Sequence, residues 1–442
     1  MLITNARIVN EGRLIEGDLR VHQGRIEQVG GALSARPGEA VTDAAGRLLM
    51  PGMIDDQVHF REPGLTHKGN LATESAAAVA GGITSFMDMP NNQPTITTRE
   101  RLAEKYAMAE GRCHGNYAFY FGGANDNLAE IQRLQPDEAC ALKVFMGAST
   151  GNMLVDHPEV LDAIFRDCPL MVVTHCEDTP MILANEAAAR ERYGDEVPFS
   201  QHPLIRSREA CWKSTELATG LARKHGSRLH VLHLTTAEEL SFFQAGPLAG
   251  KRITVEACVH HLALNDSLYA ERGAAIKCNP AVKTEADRQA LVRAVMADVI
   301  DVVATDHAPH TLEEKARPYF KAPSGLPLVQ HALLMLFGLV AKGELDLHTL
   351  VRKVCHAPAE LFGVRERGYL REGYWADLVL VDDRVQTTVT RESVLYHCGW
   401  SPLEGFTYPA RIDATWVNGE LAWDGQKVLA PRGQRLRFDP RR

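Results

Sequence analysis

The stretch PGMIDDQVHFREPG, Pro51 to Gly64, is typical of a buried strand that ends in a polar turn. Side chains alternate along a strand, so Gln57 and His59 are expected on the same side of the chain. Histidines at both positions would be a common pair of metal ligands, but only His59 is present. The stretch therefore predicts one metal ligand, His59, near a position where a glutamine stands instead of a second histidine.

Strand-like apolar runs alternate with helical segments from about residue 51 to residue 363. The runs are MIDDQVHF, GITSFMDM, GNYAFYFGG, CALKVFMG, PLMVVTHCE, RLHVLHLTT, RITVEACVHH and DVVATDHAPH. Alternation of β and α over this whole range indicates a parallel sheet, and about eight strands is the number found in a TIM barrel. We therefore predict an α/β protein built on a TIM-type (β/α)8 barrel.

Both ends of the chain instead contain short strands with turn residues between them. LITNARIVN and DLRVHQGRIEQVG precede the barrel, and ADLVLVD and ARIDATWVNGELAWDG follow it, with a strong hairpin signal at Asn418-Gly419. We predict that residues 1–50 and 364–442 form one small β-sandwich domain beside the barrel at 51–363. The most apolar run, Ala332 to Ala341, is predicted to be a core helix.

The composition of the chain indicates which kinds of partner it binds and in which compartment it is found. The net charge of −8 and the scattered Lys and Arg residues argue against a nucleic-acid or anionic-membrane surface. No segment is long and apolar enough to suggest a secretory signal or a membrane span. The nine cysteines include no C-x-x-C pair and are odd in number, which fits a reducing compartment. We expect a cytoplasmic enzyme that acts on a small molecule.

Metal-capable side chains stand at the C-terminal ends of five of the strand-like runs. In a barrel these ends converge on the face where active sites are built. Imidazole and carboxylate groups are what Zn²⁺ and similar ions bind, with an open position left for water. A single strand-end histidine is more often a core residue, but three histidines with an aspartate favour a metal site. The five residues are His59, Lys143, His175, His233 and Asp306.

Lys143 has two interpretations. An ammonium group buried in the apolar run CALKVFMG is costly, so it either extends to solvent or loses its proton. A neutral amine can combine with CO₂ to give a carbamate that bridges two cations. Composition alone does not choose between these alternatives.

An ordered set of motifs resembles the amidohydrolase superfamily and, within it, the dihydroorotase family. The motifs are DDQVHFREPG, GGITSFMDMPNN, LKVFMG, VVTHCED, LHVLHLTT, EACVHHLALND, KCNPAVKTEADR and ATDHAPH, and the likeness continues into HAPAELFGV, GYWADLVLVD and VNGELAWDG. The resemblance implies a barrel with a one- or two-zinc site that hydrolyses, or reversibly closes, a cyclic amide. It also implies a homo-oligomer, with a dimer as the expected form.

The resemblance assigns the metal ligands by position. His59 matches the second histidine of the first-strand pair, and Lys143 matches a carboxylated lysine that bridges two metals. His175 and His233 match the ligands of the second metal. His233 is preferred to His230 because it lies nearer the strand end, and His230 is the structural alternative.

The same resemblance assigns the residues that contact substrate. Asp306 matches the aspartate that binds metal and moves protons. Arg61 matches a carboxylate-binding arginine, with Asn91 and His310 as the other carboxylate contacts and Asn279 facing the ring amide. Arg61 alone would fit an ordinary surface salt bridge equally well.

Two loops are expected near the substrate. The backbone around Ala322 to Gly325 is predicted to close the pocket after the last strand. The loop GASTGNMLV after Lys143 is rich in small residues, and we expect Ser149 or Thr150 to supply a hydroxyl there.

Three functions remain open from the sequence. The first is the reversible cyclisation of N-carbamoyl-L-aspartate to L-dihydroorotate; the second is the related chemistry of hydantoinases, dihydropyrimidinases or allantoinases, which share the metal ligands. A free substrate carboxylate would need Arg61, Asn91 and His310, and this favours the first. The third is an inactive homologue that serves as a scaffold, which Gln57 keeps open. Because an amide oxygen is a weaker ligand than imidazole, the metal beside Gln57 is expected to be the looser of two.

Overall fold

The computed structural model describes residues 1–147 and 153–439. Its strands are β1 Leu2–Asn10, β2 Arg13–His22, β3 Arg25–Val29, β4 Val41–Asp43, β5 Leu48–Pro51, β6 Met53–Val58, β7 Ile83–Asp88, β8 Asn116–Phe119, β9 Phe121–Gly122, β10 Leu142–Phe145, β11 Val172–His175, β12 Leu229–Val231, β13 Ile253–Cys258, β14 Val302–Ala304, β15 Leu378–Asp382, β16 Thr387–Thr388, β17 Thr407–Tyr408, β18 Arg411–Val417 and β19 Glu420–Trp423. Its α-helices are α1 Leu71–Ala80, α2 Arg99–Ala109, α3 Leu128–Ile131, α4 Pro158–Asp167, α5 Thr179–Tyr193, α6 His202–Ile205, α7 Arg208–His225, α8 Val259–Ala263, α9 Tyr269–Arg272, α10 Glu285–Met296, α11 Leu312–Lys315, α12 Ala332–Ala341, α13 Leu347–Val351 and α14 Ala357–Phe362.

The strands from β6 to β14 run parallel and form the barrel. β6, β7 and β8 pair in sequence, and β9 to β14 pair in the same way. The chain passes from β8 to β9 at Tyr120, whose N–H donates to Asp88 O at 3.1 Å. The barrel closes where Val58 pairs with His307 and where His59 N–H donates to His307 O at 2.7 Å. The predicted TIM-type barrel is confirmed.

The barrel strands are buried almost throughout because helices cover them from outside, and of their described residues only Ile253, at the start of β13, is partly exposed. β10, β11 and β12 contain only buried residues, as expected for parallel strands that pack on both faces. The predicted core helix is α12, in which Leu333 and Leu336 are almost completely enclosed. Among the described residues, no helix combines the length and apolar character needed to cross a bilayer.

Strands from the two chain ends share one sheet beside the barrel. Its order is β19-β18-β15-β5-β1-β2-β3, with β4 next to β1. β5 runs parallel to β1 and antiparallel to β15, so it links the early strands to the late ones. Asn418 and Gly419 form the predicted hairpin, with φ values of 55° and 80° that suit a tight turn. The boundaries at residues 50 and 363 stay a prediction.

A buried ion pair fixes the ends of the first two barrel strands. Asp88, the last residue of β7, accepts a hydrogen bond from Phe60 N–H at 2.7 Å and pairs with Lys105 Nζ at 2.6 Å. Lys105, on α2, also donates to Asn92 Oδ1 at 2.7 Å. Both charged side chains are fully enclosed. The pair therefore holds the turn after β6, which contains His59 and Arg61, against the loop after β7.

We expect Lys105→Met to destabilise the protein by about 3–5 kcal/mol, because it leaves the Asp88 carboxylate buried without its counter-ion. The matched control is Arg133→Met, which removes the exposed partner of Glu130 at 3.5 Å and should cost about 0–1 kcal/mol. Urea unfolding of the two variants measures the difference. Equal unfolding midpoints would contradict the importance of this pair.

Candidate active site

A small cavity of about 90 Å³ opens at the C-terminal ends of the barrel strands. All the predicted site residues except His310 line it. The lining consists of Gln57, His59, Arg61, Asn91, Lys143, Phe145, His175, His233, Asn279, Asp306, Ala308, Ser324 and Gly325. The barrel thus brings together side chains that are far apart in the chain, such as Gln57 and Asp306, which are separated by 249 residues.

His59 and Asp306 form one side of the cavity. Asn91 Oδ1 lies 2.7 Å from His59 Nδ1, and because an amide oxygen can only accept, Nδ1 carries the proton. His59 Nε2 then turns its lone pair toward Asp306 Oδ1 at 3.2 Å. Burial opposes ionisation of Asp306, but when His59 carries a second proton its hydrogen bond and charge outweigh burial and hold the pKa of this carboxyl below its usual range. In the neutral form of His59, its Nε2 and the carboxylate are two acceptors that face each other, and they suit a cation between them.

His175 and His233 form the opposite side. His175 Nε2 lies 2.7 Å from Glu177 Oε2, and His175 Nδ1 lies 2.9 Å from His233 Nε2. Burial opposes ionisation of Glu177, but Arg206 and His175 hold its pKa at about 2, so the carboxylate accepts and Nε2 carries the proton. His233 Nδ1 is buried without a hydrogen-bond partner among the described residues.

Burial also sets the protonation of the two imidazoles. It lowers the pKa of His175 and lowers that of His233 still further. Both rings are therefore neutral near pH 7, which is the form that binds metal. The contact with Glu177 orients His175, as carboxylates commonly do for metal-bound histidines.

Lys143 is enclosed rather than extended to solvent. Only 1% of its surface is exposed, and its Nζ lies 4.5 Å from the centroid of the Phe145 ring. Burial lowers the pKa of this lysine to about 8, although Asp306 opposes the shift. A substantial neutral fraction is thus present at physiological pH, and the neutral amine is the form that reacts with CO₂.

Three imidazoles, one carboxylate and one buried amine converge here, and this donor set fits a zinc-type cation. Gln57 does not extend the set. Its Nε2 donates to Asp306 Oδ1 at 3.1 Å, and its Oε1 lies 3.6 Å from the Cys258 thiol. The amide thus presents a hydrogen-bond donor to Asp306, where an imidazole lone pair would have faced a cation.

Arg61 forms the cationic wall of the cavity. Its Nε donates to Pro309 O at 3.0 Å, and its Nη2 lies 3.1 Å from His310 Nε2. His310 lies behind Arg61, with Lys68 Nζ 3.1 Å from its Nδ1 and Ser324 O 3.0 Å from its Nε2. Burial lowers the pKa of Arg61 to about 10, so the guanidinium stays charged at neutral pH.

Asn279 and the loop after the last strand complete the wall. The Asn279 amide oxygen accepts from Arg206 Nη2 at 3.3 Å, and its nitrogen donates to Ser324 Oγ at 3.2 Å. Ser324 and Gly325 belong to the loop predicted to close the pocket. Gly325 has φ +147°, and a Cβ there would lie 2.5 Å from Ala308 O, so only glycine fits.

Three of the lining residues have left-handed backbone conformations. Arg61, His233 and Asp306 have φ values of 70°, 39° and 50°. Such conformations cost free energy for residues with a Cβ and cluster at functional sites. The surrounding structure therefore fixes the direction of these three side chains at the expense of local strain.

Sequence reasoning missed Glu177, Arg206 and Lys68. Glu177 follows His175 by two residues in THCED, so the alternation of a strand would have placed it on the same side. Arg206 and Lys68 lie outside the strands and carried no such signal. Ser149 and Thr150 lie outside the described residues.

Comparison with known proteins shows the family to which the chain belongs. The amidohydrolase family profile matches residues 48–422. A dihydroorotase of Halobacterium salinarum is 35% identical over 98% of this chain and all of its own length, and one of Bacillus cereus is 31% identical over 97% and 99%. Among solved structures, the L-hydantoinase (dihydropyrimidinase) of Arthrobacter aurescens has a TM-score of 0.93 at 26% identity, with 99% of each chain covered.

We expect the catalytic cavity to hold one zinc ion tightly and a second that dissociates readily, because Gln57 offers the second ion no lone pair. Gln57→His should convert the second ion to tight binding. Gln28→His, which adds a histidine at an exposed position, should leave both affinities unchanged. Competition with a chelator measures the affinities, and anomalous diffraction at the zinc edge assigns each ion to its place. Two equally tight ions in the catalytic cavity of the unmodified protein would refute the expectation.

Proposed function

Because the chain belongs to the amidohydrolase family, we propose that it catalyses the dihydroorotase reaction, the reversible cyclisation of N-carbamoyl-L-aspartate to L-dihydroorotate and water in pyrimidine biosynthesis. The relatives at 31–35% identity over nearly the full length are dihydroorotases. The enzyme is thus a hydrolase of cyclic amides. The residues of the cavity indicate which cyclic amide it binds.

The main support for this proposal is Arg61, which is buried and charged and lies beside the metal ligands. Its contacts with Pro309 and His310 are with neutral groups, and no carboxylate lies within 4.0 Å of it among the described residues. A buried cation without a counter-ion is costly. A substrate that brings its own carboxylate removes this cost, and both N-carbamoyl-aspartate and dihydroorotate bring one.

Asn91 and His310 support carboxylate binding in different ways. Asn91 gives its oxygen to His59, which leaves its Nδ2 donor for the substrate. His310 contacts Arg61 from behind the cavity wall and so positions the guanidinium. We assign the ring amide of the substrate to Asn279, whose orientation Arg206 and Ser324 fix.

We assign the metal site to His59, Lys143, His175, His233 and Asp306, with one or two Zn²⁺ ions and Lys143 carboxylated. When bound, such cations polarise a carbonyl and lower the pKa of water. Glu177 and Asn91 keep the outer nitrogens of His175 and His59 protonated, so each ring directs a lone pair into the cavity. The buried Lys143 amine is neutral often enough to take up CO₂.

Asp306 is the proton carrier in this proposal. Gln57 and His59 both contact its Oδ1, which leaves Oδ2 for a proton. In hydrolysis it accepts the proton of the attacking water and passes it to the leaving ring nitrogen. In synthesis it takes the proton from the carbamoyl nitrogen as that nitrogen attacks the carbon of the side-chain carboxylate. It passes the proton to one carboxylate oxygen, whose C–O bond breaks, and a second proton from solvent completes the water that leaves.

The alternatives explain the cavity less well. Hydantoins and dihydropyrimidines carry no free carboxylate, so a hydantoinase would leave Arg61 without a partner. An inactive scaffold would have no need to keep the five ligand residues converged, nor the strained backbone of His233 and Asp306.

We also infer a cytoplasmic location and a homo-oligomeric state. Cys113, Cys211 and Cys355 are buried free thiols, which fits a reducing compartment. The oligomeric state follows from the family resemblance.

Asp306→Asn should reduce turnover of dihydroorotate by about 10²–10⁴-fold, because an amide cannot accept the proton. Zinc bound through Lys143, His175 and His233 should persist. Asp195→Asn, at a side chain that is 79% exposed, is the control. An active and zinc-loaded Asp306→Asn variant would exclude Asp306 as the proton carrier.

Arg61→Met should lower kcat/KM for dihydroorotate by at least about 30-fold, equivalent to about 2 kcal/mol, because the substrate carboxylate loses its buried partner. Arg317→Met, at a half-exposed arginine that pairs with Glu313, should behave like the unmodified enzyme. The unmodified enzyme should be assayed separately with dihydroorotate, hydantoin and allantoin. Faster hydrolysis of hydantoin or allantoin than of dihydroorotate would overturn the proposed substrate.

A further inference from the structure

Three ionisable side chains meet inside the barrel, outside the catalytic cavity. Asp56 on β6, His230 on β12 and Glu256 on β13 are all completely buried. His230 Nε2 lies 3.6 Å from Asp56 Oδ2 and 3.7 Å from Glu256 Oε2. One donor atom from each residue lies within 4.8 Å of the other two. None of the three lines the catalytic cavity.

The atoms that face one another have no hydrogen-bond partner. Among the described residues, none donates to or accepts from Asp56 Oδ1, Asp56 Oδ2, His230 Nε2 or Glu256 Oε2. Buried polar groups are almost always paired, and carboxylates most of all. These buried atoms lack hydrogen bonds within the described part of the protein, as expected for atoms that bind an ion.

The hydrogen bond of His230 Nδ1 shows whether His230 Nε2 carries a proton or a lone pair in the neutral ring. The Thr254 hydroxyl donates to Leu229 O at 3.2 Å, so it accepts from His230 Nδ1 at 2.8 Å. Nδ1 thus carries the proton, and in the neutral ring Nε2 directs a lone pair at the two carboxylates. This is how a second residue commonly orients a metal-bound histidine.

The separations fit a cation better than a proton. A protonated His230 held between two carboxylates would form charge-assisted hydrogen bonds of about 2.7–2.9 Å. Ligand atoms placed tetrahedrally about 2.0–2.2 Å from Zn²⁺ lie about 3.3–3.6 Å from one another. The observed 3.6 and 3.7 Å are closer to the second geometry than to the first.

We propose that Asp56, His230 and Glu256 bind a divalent transition-metal cation such as Zn²⁺ inside the barrel, in a site separate from the catalytic centre. One imidazole and two carboxylates are suitable ligands for such an ion. The inference does not rest on the proposed reaction, since the three residues would hold the ion whatever the substrate.

The second oxygen of Glu256 connects this site to the catalytic one. Glu256 Oε1 accepts a hydrogen bond from His233 N–H at 3.2 Å and contacts the Cys258 thiol at 3.4 Å. An ion that fixes the Glu256 carboxylate would therefore also fix the strained backbone of His233. We assign the ion a structural role beneath the catalytic centre.

Asp56→Asn tests the proposal, with Asp55→Asn as its matched control. Asp55 is the adjacent buried aspartate, but both of its oxygens are already occupied, by Thr305 N–H at 3.1 Å and Thr305 Oγ1 at 2.6 Å. Full-length proteins are loaded with Zn²⁺ and desalted, and zinc per chain is measured by mass spectrometry. We expect Asp56→Asn to hold one zinc ion fewer than both the unmodified protein and Asp55→Asn.

An Asp56→Asn variant with the full zinc content would overturn the proposal. If that variant fails to fold, anomalous diffraction at the zinc edge from crystals of the unmodified protein decides the question. A peak enclosed by Asp56, His230 and Glu256 would support the site, and its absence from crystals with zinc in the catalytic cavity would overturn it. Dihydroorotate turnover is measured separately, so failure of the proposed reaction is distinguishable.

Discussion

The hydrogen bond from His59 N–H to His307 O, 2.7 Å long, closes the barrel, and the active site depends on that closure. It joins the first barrel strand to the last and places His59 beside Asp306, which precedes His307 in the chain. Asp55 strengthens the same seam through its two bonds to Thr305. His307 itself points out of the cavity, where its imidazole contacts Glu74 at 2.8 Å. Without this seam the His59 and Asp306 half of the site would not exist.

Burial determines the charge of each group in the cavity. It keeps His175 and His233 neutral and lowers the pKa of Lys143 to about 8, so two imidazoles and the neutral fraction of one amine offer lone pairs. A doubly protonated His59 compensates for the burial of Asp306 and holds its pKa below the usual range. Arg61 stays fully charged at neutral pH under the same burial. One end of the cavity therefore attracts cations and the other attracts anions, which suits a substrate that carries a carboxylate at one end and an amide at the other.

Much of this arrangement could be predicted from the sequence because it follows from local rules. The alternation of strands and helices indicated the barrel, and a polar residue after an apolar run indicated a strand end, as at His175 and Asp306. Arg206 and Lys68 could not be found in this way, because they reach the site from outside the strands. The cluster at Asp56 was missed for another reason: the pairing of β6 with β7 shifts register between Asp55 and Val58. At such an irregularity the two-residue alternation fails, and adjacent aspartates can both contact barrel residues.

The sheet shared by the two chain ends constrains how the protein is made. Leu48 of β5 pairs with Val381 of β15, more than 300 residues later in the chain. During synthesis on the ribosome, β1, β2 and β3 can pair as soon as they emerge, but one edge of β5 stays open while the entire barrel is translated. The barrel, whose strands pair mostly with sequence neighbours, can form in that interval. The backbone groups on this edge of β5 therefore have no strand partner until β15 is made, and their pairing then joins the early part of the chain to the late part.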